Sequence, residues 1–205
     1  MAITNGYCTL AELKDYISIP VADTEDDSIL EIAIESASRA IDSFTGLRFW
    51  TDATVVARYY STTDEEAVDI PDGIQTTTGL VVKTDDDDDG VYETTWTLNT
   101  DFRLEPINAA ADGLPWNRIV AVGDRLFPTT IYRGVEVTAK GGWSAVPVTV
   151  KQACLLQSSR FFKRKDAPFG VAGSVEFGSE LRLLSALDPD VQLLLAAYRR
   201  PWVFV

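Results

Sequence analysis

Histidine is absent from the 205 residues. That absence removes Ser-His and Cys-His nucleophiles, histidine-ligated zinc and imidazole proton relays, leaving carboxylate, lysine or tyrosine chemistry as the enzymatic routes. Cysteine is scarce. Cys8 and Cys154 cannot make a CxxC redox motif or a thiolate metal cluster, and they read as two reduced, buried thiols. No apolar run approaches the ~20 residues that span a bilayer, and the first residues lack the basic-then-apolar layout of a secretion signal. The expectation is a soluble protein that folds in a reducing compartment and binds no cofactor. Positive charge is also short, with 18 Lys and Arg against 31 Asp and Glu, a net −13. A body this acidic repels phosphate backbones, which argues against a sequence-reading DNA-binding domain. The imbalance is uneven: −6 over residues 1–50, −10 over 51–140 and +3 over 141–205. The basic last third is a candidate docking surface.

The hydrophobic period divides what is present into three stretches. Thr9-Leu10-Ala11-Glu12 is a capping-box pattern opening a short helix that stops before Pro20. After the acidic run Asp23 to Asp27, the residues Ile29, Ile32, Ala33, Ala37, Ala40, Ile41 and Phe44 recur at three- and four-residue spacing. That predicts an amphipathic helix ended by Gly46. Over residues 51–140 the period shortens to that of strands, in runs at 55–60, 79–84, 91–98, 118–122 and 135–139. Asp85 to Asp89 followed by Gly90 reads as a hairpin tip, because Asp and Gly tolerate the positive φ of tight turns. Helical spacing returns with Val150, Cys154, Gln157 and Phe161, and Pro147 is placed in that helix's first turn. Lys163-Arg164-Lys165 ends it with charges suited to its negative end. Asp188-Pro189-Asp190 starts a last helix that Pro201 closes, and Trp202-Val203-Phe204-Val205 forms an apolar tail. The predicted fold is α+β: a bundle of amphipathic helices from residues 1–50 and 141–205, with a small antiparallel β region, 51–140, inserted.

Three chemistries can be set against bland readings of the same residues. The five-aspartate run lacks the alternating ligand spacing of an EF-hand and reads as a solvated turn. Asp101, Glu105, Asp112, Trp96 and Trp116 supply the residue types of a glycan-acting or carbohydrate-binding site, although 31 acids make such groupings easy to find. Gly141-Gly142-Trp143 has no phosphate-loop Lys and Ser/Thr after it and reads as a turn feeding the next helix.

The ordered combination of several segments is more specific. Tyr7-Cys8-Thr9-Leu10-Ala11-Glu12-Leu13-Lys14-Asp15-Tyr16-Ile17, the acidic stretch running into Ala37-Ser38-Arg39-Ala40-Ile41-Asp42-Ser43-Phe44-Thr45-Gly46-Leu47-Arg48-Phe49, the segment Gly142 to Ala153, the run Phe161 to Gly173 and the Asp188-Pro189-Asp190 helix start together resemble the head-to-tail connectors, or adaptors, of tailed bacteriophages. The likeness covers residues 7–50 and 140–200, and the β-rich stretch departs from the compact, mostly helical members.

This resemblance implies a non-enzymatic virion protein. It would form a ring, usually of twelve copies, between the capsid portal and the tail, extending the channel through which double-stranded DNA passes without sequence-specific binding. Implied partners are further copies of the chain, the portal, and a tail terminator or other neck protein. The implied location is the head-to-tail interface of the virion, after assembly in the host cytoplasm. An acidic channel suits sliding DNA, because attraction to phosphate would brake it. The candidate portal-docking residues are Tyr198, Arg199, Arg200, Trp202, Val203, Phe204 and Val205. Those of a loop facing the channel or tail are Lys163, Arg164, Lys165, Pro168, Phe169, Gly170 and Gly173. The alternative is a carbohydrate-binding or carboxylate-based glycan-acting module centred on the β region.

Overall fold

The computed structural model describes residues 3–165, 171–172, 181–182 and 187–199. They fall into two compact units, one made of residues 1–47 and 146–205, the other of residues 48–145.

The first unit is helical. Helix α1, Leu10–Tyr16, starts at the capping box: Thr9 Oγ1 accepts the Glu12 amide at 3.2 Å and Glu12 Oε2 accepts the Thr9 amide at 2.9 Å. Helix α2, Asp27–Thr45, ends at Gly46, whose φ of 69° lets its amide reach the Asp42 carbonyl at 2.8 Å. Its buried stripe is Leu30, Ala33, Ile34, Ala37, Ser38, Ile41 and Thr45. Ile29 and Ile32, expected on that stripe, are exposed instead, since the inward face is set one position later. The small residues at 33, 37 and 38 admit helix α4, Val148–Lys163, which buries Val150, Ala153, Cys154, Gln157 and Ser158. Pro147 is the cap of α4 rather than part of its first turn. Helix α5, Pro189–Leu195, is capped by Asp188, which accepts the Asp190 amide at 3.0 Å, and buries Val191 and Leu195 against α4. A 3-10 turn, Ala196–Tyr198, follows it. The N-terminal segment is anchored by Tyr7, whose hydroxyl donates to Asp42 and whose amide donates to Ser38 Oγ at 3.1 Å. Lys14 is buried: its ammonium pairs with Asp27 and donates to the carbonyls of Asp23 (2.5 Å) and Val21 (3.3 Å).

The second unit is a six-stranded antiparallel sheet. Its strands are β1 (Val56–Tyr60), β2 (Ala67–Thr84), β3 (Thr94–Trp96), β4 (Phe102–Glu105), β5 (Trp116–Ala121) and β6 (Val135–Gly141), and one helical turn, α3 (Ala109–Asp112), follows β4. The order is β1-β6-β2-β5-β4, with β3 paired to β2. Strand β6 alternates strictly, burying Val135, Val137, Ala139 and Gly141, which is the period-two pattern of a strand with one face on a core. That core joins Val68, Ile70, Ile74, Val82, Trp96, Phe102, Leu104, Ile119 and Phe127. Trp96 stacks on Phe127 at 4.3 Å between centroids and donates its indole N–H to Thr84 Oγ1 at 3.2 Å. Two further short strands, β7 (Val171–Ala172) and β8 (Leu181–Arg182), pair with each other in the first unit.

The expectation of a helical bundle with a small β insert is therefore corrected to a mixed α+β fold. Of the five helices among the described residues only α2 and α4 exceed seven residues, while the sheet has six strands. The sequence pattern undercounted β structure because Pro71, Gly73 and Gly79 look like breakers. In the fold they sit inside one long strand as irregularities: β2 shifts register against its partners between Asp69 and Ile74 and again between Thr76 and Val81. Gly73 and Gly79 hold φ of 74° and 77°, the left-handed values that such irregularities take at little steric cost.

Candidate functional site

The two residue sets singled out from the sequence both belong to the helical unit. Tyr198 is half-buried at the end of the 3-10 turn, where its hydroxyl accepts from Thr149 Oγ1 at 3.2 Å. Arg199 is exposed, with its guanidinium carbon 5.4 Å from the centre of the Phe44 ring. These two side chains thus lean back on α4 and α2 and anchor the point from which the chain continues. Arg200, Trp202, Val203, Phe204 and Val205 lie outside the described residues.

Lys163, Arg164 and Lys165 are exposed at the C-terminal end of α4, where cations meet the negative end of the helix. Lys165 is further committed, because its ammonium lies 2.6 Å from Asp26 and 5.1 Å from the Phe162 ring centre. Pro168, Phe169, Gly170 and Gly173 lie outside the described residues.

In the sheet unit an ion cluster was not foreseen. Asp52 sits in the segment between α2 and β1, with its side chain 8% exposed. Its Oδ1 accepts Arg48 Nη1 at 2.8 Å, and its Oδ2 accepts Arg48 Nη2 at 3.2 Å and the Gly141 amide at 3.0 Å. Arg58 Nη2 lies 2.8 Å from the same Oδ2, and the Asp52 amide returns a bond to the Gly141 carbonyl at 2.9 Å. Burial pushes the Asp52 carboxyl up, but the hydrogen bonds and charges of Arg48 and Arg58 outweigh it and hold the group below its ordinary value. Asp72 makes a second bridge to the same arginines, at 3.3 Å from Arg48 Nε and 3.6 Å from Arg58 Nε. Beside this cluster Gly142 takes a φ of 100°, and a Cβ there would lie 2.1 Å from the Trp50 carbonyl oxygen.

Arg58 and Asp72 also line an open cleft of about 610 Å³ with Ala57, Tyr59, Tyr60, Pro71, Tyr132 and Arg133. The Arg133 guanidinium covers the Tyr59 ring at 4.3 Å, Tyr59 meets Tyr92 at 5.5 Å, and Tyr92 donates its hydroxyl proton to the Arg133 carbonyl at 2.7 Å. Burial pushes the Tyr60 phenol above its usual value, so it stays neutral. Tyr132 stands 83% exposed. Strand β1 lines the cleft; it pairs with β6 on one side and, among the described residues, ends the sheet on the other, with Val55 just before it and Val56 and Tyr59 along it exposed. Tyrosine and arginine on a free sheet edge are suited to binding another chain, by added main-chain pairing or by aromatic and guanidinium contacts. The signal was in the sequence as two short runs, Arg58-Tyr59-Tyr60 and Tyr132-Arg133. Nothing local indicated that the fold would bring them together.

Of the residues of the glycan alternative, Asp101 and Trp96 meet the same Arg125, whose guanidinium lies 5.9 Å from the Trp96 ring centre. Trp96 is in the core on Phe127 and offers no platform for a sugar. Asp101 is used locally: Oδ2 accepts the Thr97 amide at 2.8 Å and Oδ1 accepts Arg125 Nε at 3.1 Å. Those two contacts hold its carboxyl below the ordinary range. Glu105 and Asp112 are exposed on separate elements, and none of these acids lines the cleft. In the aspartate run, Asp85 is buried, its two oxygens accepting the amides of Asp88 (2.8 Å), Asp87 (3.3 Å) and Gly90 (2.9 Å). That wraps the turn around its own backbone.

Comparison with known proteins gives one kind of match. No family model matches the sequence, and no curated protein does. Among solved structures, one from the neck of an empty gene transfer agent (GTA) particle, computed with C6 symmetry, aligns at 25% identity with a TM-score of 0.61. That alignment covers 100% of this chain and 95% of the other. The chain has the fold of a particle neck protein. A second structure, from the neck of a native GTA particle computed with C12 symmetry, aligns at 22% identity with a TM-score of 0.58 over 100% and 94% of the two chains. A third, from the virion of a native GTA particle, aligns at 22% identity with a TM-score of 0.54 over 100% and 95%. These two share the fold. The head-to-tail connector resemblance read from sequence segments and the neck fold agree. Because the alignments run the length of both chains, the sheet belongs to the shared neck fold and is no departure from it.

Proposed function

We propose that this chain is a structural protein of a phage-like virion, placed in the neck, where it forms a ring between portal and tail and extends the DNA channel. The observation that carries the reading is the full-length likeness to neck proteins of particles computed with C6 and C12 symmetry. Three features of the molecule support it. A ring needs a heterologous contact that closes on itself, and the Tyr59–Arg133 cleft on the free edge of the sheet is a surface of that kind. An exposed edge strand is an aggregation hazard in a lone chain, and burial between copies removes it. The net charge of −13 suits a wall that DNA passes without sticking.

Within this reading the C-terminal residues Arg200, Trp202, Val203, Phe204 and Val205 dock on the portal, with Tyr198 and Arg199 fixing their point of departure on the helical unit. Lys163, Arg164 and Lys165, with Pro168, Phe169, Gly170 and Gly173, face the channel or the tail. The role is mechanical, and no residue is assigned a catalytic task.

The test is negative-stain imaging of the purified chain with and without the particle's own portal protein, alongside a truncation lacking residues 201–205. The expected result is rings of about twelve copies on the portal for the full chain, and a folded but portal-blind truncation. A chain that stays monomeric with the portal refutes the ring. Undiminished portal binding by the truncation refutes the docking assignment alone.

A further inference from the structure

The two cysteines, 146 positions apart in sequence, are neighbours in the fold. Cys8 Sγ and Cys154 Sγ lie 3.4 Å apart in the interior of the helical unit, both as free thiols. Cys8 is 4% and Cys154 0% exposed. Cys8 lies in the segment just before the cap of α1, and Cys154 lies within α4. A disulfide needs its sulfurs at about 2.05 Å, so these two need to close by little more than one ångström. The polar groups nearest the pair are two serines, both within hydrogen-bond reach of Cys154 Sγ. Ser38 Oγ is 3.5 Å from Cys154, but its proton already goes to the Ile34 carbonyl at 2.8 Å and it accepts the Tyr7 amide. Ser158 Oγ stands farther off at 3.7 Å.

We propose that Cys8 and Cys154 are an oxidation site, converted by a small-molecule disulfide into an internal bridge that staples the N-terminal segment to α4. The proposal is independent of the assembly reading, since it concerns only chemistry inside one copy. Burial makes the reaction gated: local opening of the segment before α1, short of unfolding the whole unit, exposes Cys8. The Cys8 thiolate then attacks one sulfur of the small disulfide, whose S–S bond breaks, and one thiolate leaves and takes up a proton. When the segment re-docks, the mixed disulfide is carried against Cys154. The Cys154 thiolate attacks the Cys8 sulfur, expels the second small thiol, and completes the Cys8–Cys154 bond. Two electrons pass from the protein thiols to the small disulfide, which ends as two thiols.

The experiment uses the full chain, reduced and freed of reductant, with oxidised glutathione as the probe, and follows it by intact mass, alkylation in denaturant and non-reducing peptide mapping. The expected product has lost two hydrogens, resists alkylation at both positions and links the peptides of Cys8 and Cys154. Its Tm rises by roughly 5–15 °C, because closing so long a loop restricts the unfolded chain, and dithiothreitol reverses the rise. The variants Cys8→Ser and Cys154→Ser stop at a single glutathione adduct. Three results overturn the proposal: stable adducts on both cysteines with no bridge, two thiols still free after prolonged exposure in urea low enough to keep the fold, or linkage between copies instead of within one. A bridge that leaves Tm unchanged or lower refutes the staple.

Discussion

Asp52→Ala is the sharpest test of how the sheet unit is held together. One carboxylate serves Arg48, Arg58 and the Gly141 amide, and the arginine side chains are only 12% and 26% exposed. Removing one partner of a buried ion pair costs about 3–5 kcal/mol, because the other charge is left without compensation. Here Asp72 remains 3.3–3.6 Å from both guanidinium groups and is itself well exposed, so part of the charge stays balanced. The expected loss is therefore about 2–3 kcal/mol, below that range. With a urea slope of about 2 kcal/mol per M for a chain of this size, the unfolding midpoint falls by about 1–1.5 M. Asp52→Asn keeps an acceptor without the charge and falls between the two. Urea titration followed by tryptophan fluorescence suits the measurement, because Trp50 lies under the Arg48 guanidinium at 4.4 Å. A midpoint within about 0.2 M of the parent for Asp52→Ala would refute the reasoning, since it would mean that Asp72 and water replace Asp52 without loss.

Three further outcomes are expected. Gly142→Ala forces a Cβ to 2.1 Å from the Trp50 carbonyl at a φ of 100°, so it should cost at least about 2 kcal/mol, read as a lower urea midpoint, whereas Gly113→Ala has open space and costs only its left-handed backbone strain. Lys14→Met strands two carbonyls and Asp27, and should cost about 2 kcal/mol by the same measurement, with Lys14→Arg no rescue because a planar fork does not fit a site built for a point charge. For pH, Glu12 is held below its usual value by Lys151 and then by the Thr9 amide, Asp101 by the Thr97 amide and Arg125, and Asp52 by its arginines against burial. Carboxyls with depressed folded values stabilise above their ordinary values and lose that contribution as pH falls through the folded ones, so stability should hold from pH 7 to about 5 and drop below about 4. Asp42, raised by burial, titrates with the opposite sign and blunts the drop, which makes Asp42→Asn the variant with the steeper acid loss.

Sequence patterns carried some parts of this molecule and missed others for identifiable reasons. Helix starts were legible because capping is local: Thr9 with Glu12 and Asp188 with Asp190 form the bonds their spacing implies. The inward face of α2 was shifted, since Ile29 and Ile32 count as apolar in any periodicity although the buried stripe runs through Leu30, Ala33 and Ala37. Sheet extent was missed where one long strand absorbs Pro71, Gly73 and Gly79, because a bulge and a chain break share the same local residues. The cleft pairs β1 with a loop more than seventy residues later, and the two cysteines are 146 positions apart. Only tertiary pairing brings such groups together.

The helical unit is built from two stretches of chain with the whole sheet unit between them. The pair of hydrogen bonds between Asp52 and Gly141 fastens the incoming and outgoing chain side by side at the end of β6. Once this fastening forms, α2 and α4 are joined by an effective loop of about fourteen residues instead of about a hundred. The entropic cost of bringing them together falls by about 2 kcal/mol. The coupling runs both ways: closing the sheet makes the helical half easier to assemble, and assembling the helical half favours the fastening.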